Sequence, residues 1–92
     1  MSDLRQREVV YDARWDAEAQ AVEENVQRLD EAMRYFEFQL SRAPKSGIES
    51  PAAGIWVAHA TLPTRTNRQV RVSVFYSFDE EQVRMRSIRL AQ

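Results

Sequence analysis

WDAEAQAVEENVQRLDEAMRYFEFQL, residues 15–40, decides the fold. Apolar side chains recur in it at Trp15, Ala19, Val22, Val26, Leu29, Met33, Phe36 and Leu40, at spacings of four and three, with no Gly or Pro between them. That period belongs to the buried face of an amphipathic helix, or to a seam that meets a second helix as in a coiled coil. One helix from Asp16 to Arg42 would be ~40 Å long, against ~30 Å for a nine-residue strand. The surplus has three outcomes: a break into a helix hairpin near Glu24 and Asn25, an end projecting into solvent, or a partner covering the stripe, such as a second copy in a homodimer built on the long helix. Trp15, Ala19 and Val22 form the expected overhang and partner interface. Tyr35 and Phe38, which flank the stripe, are candidates for the same role.

The flanking sequence sets the rest of the architecture. Val9, Val10 and Tyr11 read as a first strand, with the charged run Arg5–Glu8 suggesting an edge. A helix start is expected near Asp12 or Asp16, where a carboxylate accepts free N–H groups and meets the positive end of the helix dipole. Arg42, Pro44 and Gly47 mark its end, and residues 44–54 form a turn-rich connector. Residues 55–62 make a short apolar run ended by Pro63. Residues 69–78 alternate throughout, with Val70, Val72, Val74, Tyr76 and Phe78 on one face. Asp79–Gln82 is a polar turn into an antiparallel return over Val83–Leu90. The prediction is a single α+β domain over residues 1–92 in the order β-α-β-β-β, its helix or helix hairpin packed on a small, mostly antiparallel sheet.

With Phe78 opposite Val83, Tyr76 faces Met85, Phe75 faces Arg86 and Ser73 faces Ile88. The apolar phase flips around Ser87, which a β-bulge there, or loss of pairing near the strand's end, would reconcile. On this register Arg71, Arg84 and Arg86 share the face opposite the apolar row, with Phe75 among them. Guanidinium groups pair with phosphates and an aromatic ring stacks on a base, so the cluster suits single-stranded nucleic acid, although arginine on the solvent side of a strand is also ordinary. Arg65 and Arg68 add two cations in the Pro63–Arg68 loop beside that sheet. His59, the single histidine, is expected to be a hydrogen-bonded strand residue rather than a ligand or general base. Glu18, Glu23, Glu24, Asp30, Glu31 and Glu37 lie outside the helical stripe and are read as a solvated face.

Composition narrows the chemistry further. The chain has no cysteine, which removes disulfides, thiolate nucleophiles and cysteine zinc sites. One histidine and no strand carboxylate cluster leave no expected metal or cofactor. The net charge of −1 is unevenly spread: residues 1–41 hold five arginines against ten carboxylates, and residues 42–92 hold eight basic residues against four. Residues 1–5 form no apolar signal segment, and no run approaches the ~20 apolar residues of a membrane span, so a cytoplasmic location without membrane association is expected.

The order strand, helix, then Leu40-Ser-Arg-Ala-Pro44-Lys-Ser-Gly47, followed by the Val70–Phe78 and Val83–Ile88 hairpin, resembles the RelE/ParE superfamily of bacterial toxins. The resemblance implies a small cytoplasmic toxin of a type II toxin–antitoxin pair, held inactive by a cognate antitoxin that covers its apolar and basic surfaces. ParE-like relatives poison DNA gyrase; RelE-like relatives cut mRNA on the ribosome with basic residues on the sheet. Arg71, Arg84 and Arg86 occupy positions similar to those basic residues. Ser73, however, stands three residues before Tyr76, where many relatives have arginine, and no basic tail bearing His or Tyr follows the last strand. The ParE-like, non-nucleolytic branch is therefore the expectation. The alternatives are a homodimeric non-catalytic interaction module and a RelE-like mRNA interferase.

Overall fold

The helical stripe does not form one rod. In the computed structural model, which describes residues 6–91, it breaks into α1 (Trp15–Glu23) and α2 (Leu29–Arg42). They follow a first strand, β1 (Glu8–Tyr11), and precede β2 (Ile48–Glu49), β3 (Trp56–Pro63), β4 (Gln69–Phe78) and β5 (Gln82–Ala91). The signal-segment reading of residues 1–5 and the chain end at residue 92 lie outside the described residues.

The break has an identifiable cause. Asn25 donates its side-chain amide back to the Ala21 carbonyl, Gln27 N–H donates to the Pro63 carbonyl, and Val26 forms an isolated antiparallel bridge with Thr64. The β3–β4 hairpin thus captures main-chain groups that a continuing helix would need. Arg65 completes the exchange by donating Nε and Nη2 to the carbonyls of Glu24 and Glu23 at 3.0 and 2.9 Å, which satisfies acceptors left open at the end of α1. Arg28, at φ 63°, then turns the chain into α2.

The break removes the overhang. Helices of nine and fourteen residues are ~13 and ~21 Å long, each shorter than a ten-residue strand at ~33 Å. Every stripe residue therefore reaches the sheet. Val26, Leu29, Phe36 and Leu40 are buried, and Ala19 and Met33 are partly buried against the same core. Trp15 and Val22, expected at an exposed interface, are 5% and 4% exposed. That expectation is corrected: α1 lies along β5, and the seam proposed for a homodimer is spent inside the chain.

The sheet order is β1-β5-β4-β3-β2. β1 runs parallel to β5 and the other pairs are antiparallel. β1 and β2 thus occupy opposite edges, and the two helices that connect them cross one face. That face carries Val9 from β1, Trp56, Ala58, Ala60 and Leu62 from β3, Val70 through Phe78 in alternation from β4, and Val83, Met85, Ile88 and Leu90 from β5. β2 was not expected. It falls in the turn-rich connector, where Ser50 and Ile55 close a turn (Ser50 N to Ile55 O, 2.9 Å) and set Ile48 and Glu49 against Val57 and Trp56. The β4–β5 turn is held by Asp79, whose carboxylate accepts the N–H groups of Glu81 and Gln82 at 2.8 and 2.9 Å; those bonds hold its pKa below the ordinary carboxylate range.

α2 ends at Arg42 and a 3-10 turn follows over Pro44–Ser46, where proline's missing N–H costs nothing. Tyr76, fully buried, donates its hydroxyl to the Pro44 carbonyl at 2.5 Å, tying this turn to the middle of the sheet. Burial pushes the Tyr76 phenol above its usual pKa. Gly47 is required beside it: a Cβ there would strike the Tyr76 hydroxyl and approach Val57 O to 2.7 Å. Gly47→Ala should therefore destabilise the fold by about 1–3 kcal/mol through overpacking. A urea midpoint unchanged from the parent would show that the turn yields without cost.

Candidate functional site

Among the described residues no helix covers the opposite face of the sheet, and alternation along its strands decides what it presents. β3 contributes Val57, His59 and Thr61; β4 contributes Arg71, Ser73, Phe75 and Ser77. β5 contributes Arg84, opposite Ser77, and Arg89, opposite Ser73. Between them the register slips by one residue: Tyr76 pairs with Met85 and Phe75 with Ser87, so Arg86 is the extra, bulged residue. A bulge keeps the two residues that oppose a single partner on that partner's side, so Arg86 and Ser87 both flank Phe75. The anticipated bulge near Ser87 is thus observed, but Phe75 faces Ser87 rather than Arg86, and Ser73 faces Arg89 rather than Ile88.

Arg71, Arg84 and Arg86, assigned to one face with Phe75, do share it. They are spread along it rather than clustered. Arg71 and Ser77 are six residues apart on β4, ~20 Å in an extended strand, with Arg71 at one end of the face and Arg84 beside Ser77 at the other. Arg89 fills the gap. Its guanidinium carbon lies 5.7 Å from the Phe75 ring centroid, within cation–π range, and its Nε approaches Ser87 Oγ at 3.4 Å. Arg86 donates to Ser77 Oγ at 3.3 Å. A hollow of about 210 Å³ lies here, lined by Phe75, Arg86, Ser87 and Arg89, with Asp12 and Arg14 at its side. The result is a row of four guanidinium groups running the length of the face, with one aromatic ring at its centre.

His59 also stands on this face. Its Nδ1 is 2.8 Å from the hydroxyl of Ser73, itself 6% exposed, so the pair makes a side-chain bond across adjacent strands. This is the hydrogen-bonded strand histidine expected from the sequence, now placed in the same cross-strand row as Arg89. Among the described residues no three of His, Cys, Asp and Glu gather where a metal ion could be held.

Two residues take roles that sequence reasoning missed. The unshifted register keeps Arg89 out of the cluster; carrying the shift of the bulge that the phase flip at Ser87 marks into the rest of the strand places it opposite Ser73. Glu18, read as part of a solvated helix face, instead reaches β5 beyond the end of β1, where its carboxylate accepts Ser87 Oγ at 2.9 Å and Ile88 N–H at 3.2 Å. It plugs a sheet edge that would otherwise present a free donor.

The remaining candidates lie elsewhere. Arg65 is bound to the end of α1, and Arg68 lies with it in the β3–β4 loop. Tyr35 and Phe38 are 59% and 58% exposed on α2, as an interface role requires, and Arg42 sits 4.0 Å over the Phe38 ring. Among the described residues no helix is long and apolar enough to cross a membrane. Compared with protein-family models, curated proteins and solved structures, the chain matches none.

Proposed function

We propose that this protein is a small binding inhibitor of the toxin class, resembling ParE, which docks its open sheet face on the nucleic acid held by its target and does not cut it. One observation carries the reading: four arginines, Arg71, Arg84, Arg86 and Arg89, run along a helix-free face around Phe75. Guanidinium groups spaced along ~20 Å of strand suit successive phosphates of an extended chain, and an aromatic ring among them is a stacking platform. A strand, two helices and a closing antiparallel hairpin, in that order, support the toxin-like assignment. DNA held by gyrase is the target that the resemblance favours, and the cytoplasm is where it would be met.

The non-nucleolytic branch is preferred because Ser73 occupies the strand position where many relatives carry arginine, and its hydroxyl is bonded to His59 instead. A cognate antitoxin would cover this protein's surface, with the exposed Tyr35 and Phe38 as its apolar anchors. Dimerisation through a long helix is no longer part of the reading.

Induced expression in a bacterial host tests it. The parent chain should arrest growth, and changing Arg71, Arg84, Arg86 and Arg89 together to Ala should abolish the arrest while leaving the circular-dichroism spectrum unchanged. His59→Ala should still arrest growth. Arrest by the quadruple variant would refute the basic face as the target contact; ribosome-dependent mRNA cleavage lost in His59→Ala would replace this reading with the interferase one.

A further inference from the structure

At the end of the sheet where β4 begins and β5 finishes, a cavity of about 530 Å³ lies between the β3–β4 loop and the corner joining α1 to α2. Of the basic face it shares Arg71 alone. Its lining combines Arg65, Arg68 and Arg71 with the aliphatic side chains of Val70 and Leu90, and Glu24 is the one carboxylate among the lining residues. We propose that this cavity is a binding site for a nucleotide, free or as the end of a single strand. The proposal goes beyond the inhibitor reading and does not depend on it.

Three features point to that ligand class. The volume lies within the ~300–1,000 Å³ of small-molecule sites. Three guanidinium groups against one carboxylate give the positive balance that a phosphate monoester needs, and planar guanidinium forks match its oxygens. Arg65 is also fixed in advance: its Nε and Nη2 are held by the carbonyls of Glu24 and Glu23, so ordering it costs a ligand little entropy. The third feature is the aliphatic pair. Val70 and Leu90 are partly buried on the helix-covered side of the sheet, and they offer an apolar surface that inorganic phosphate cannot use but a flat heteroaromatic ring can cover. Gln69, also in the lining, carries an amide of the kind that pairs with base edges.

The loop is built to hold its shape. Thr64 Oγ1 accepts the N–H groups of Thr66 and Arg68 at 3.3 and 3.1 Å, and Asn67 takes a left-handed φ of 64°. Gln27 reaches across from the helix corner to the Thr64 carbonyl at 2.7 Å, closing the cavity's two walls on each other. Arg68 and Arg71 are both exposed, so they can be changed without disturbing the core.

The purified chain should be titrated with adenosine monophosphate, inorganic phosphate and a short oligoadenylate, with affinity and shift perturbations read by two-dimensional amide NMR. The nucleotide should bind with shifts centred on residues 64–71 and at least about tenfold more tightly than phosphate, since a covered aliphatic pair contributes beyond the charge. Arg68→Gln and Arg71→Gln should each weaken it about tenfold, the size of one lost charge-assisted hydrogen bond, whereas Lys45→Gln on the 3-10 turn should leave it unchanged. Tighter binding of the oligonucleotide at the same residues would identify a strand end as the natural ligand, and equal binding a free nucleotide. Phosphate binding as tightly as adenosine monophosphate, or shifts induced by the mononucleotide that centre elsewhere on the chain, would overturn the proposal. Growth arrest is not its readout, so its failure is distinguishable from failure of the inhibitor reading.

Discussion

Val22→Glu should unfold the chain rather than separate a dimer. Val22 is 4% exposed and belongs to the core cluster with Trp15, Val26 and Leu29. An unpaired carboxylate forced into that environment costs several kcal/mol, against a total of about 5–10 kcal/mol for a domain of this size. The helical circular-dichroism signal should be lost at neutral pH, and light scattering behind size-exclusion chromatography should report an expanded chain. Tyr35→Glu provides the contrast: at 59% exposure, it should alter stability by no more than about 0.5 kcal/mol. A folded, monomeric Val22→Glu protein beside a dimeric parent would mean that the stripe is an intermolecular seam.

The helical stripe was legible because its period survives the break: Val22, Val26 and Leu29 all stay on the sheet side. Its length was the clue that one helix would not fit. The break itself was only weakly marked by Asn25, because the groups that enforce it, Pro63, Thr64 and Arg65, lie about forty positions further along the chain and no local window contains both partners. The parallel pairing of β1 with β5 was illegible for the same reason. The β4 and β5 strands were clear from alternation, and the phase change around Ser87 announced the bulge. Identifying the bulged residue decided more than strand geometry, since only the shifted register brings Arg89 opposite Ser73 and over Phe75. Tyr35 and Phe38 stayed exposed while Trp15 and Val22 did not, a distinction that hydrophobicity alone could not draw.

Changing Arg86 and Arg89 together to Ala should weaken binding of a single strand by about a hundredfold, because each charge-assisted contact contributes about 1.5 kcal/mol. These two guanidinium groups bracket the hollow beside Phe75. Phe75→Ala should cost about 1–3 kcal/mol of binding through lost stacking, whereas Thr61→Ala, on the exposed β3 margin, should change affinity little. Fluorescence anisotropy of a labelled single strand reads all three. An Arg86/Arg89 double variant that binds like the parent would place the contact elsewhere.

The salt dependence of that binding counts the phosphates that the four guanidinium groups meet. If Arg71, Arg84, Arg86 and Arg89 each neutralise one phosphate, log affinity should fall with log salt at a slope of roughly −3 for a single strand, and removing all four should bring the slope close to zero. A slope near zero for the parent chain, or one that the fourfold substitution leaves unchanged, would contradict the account.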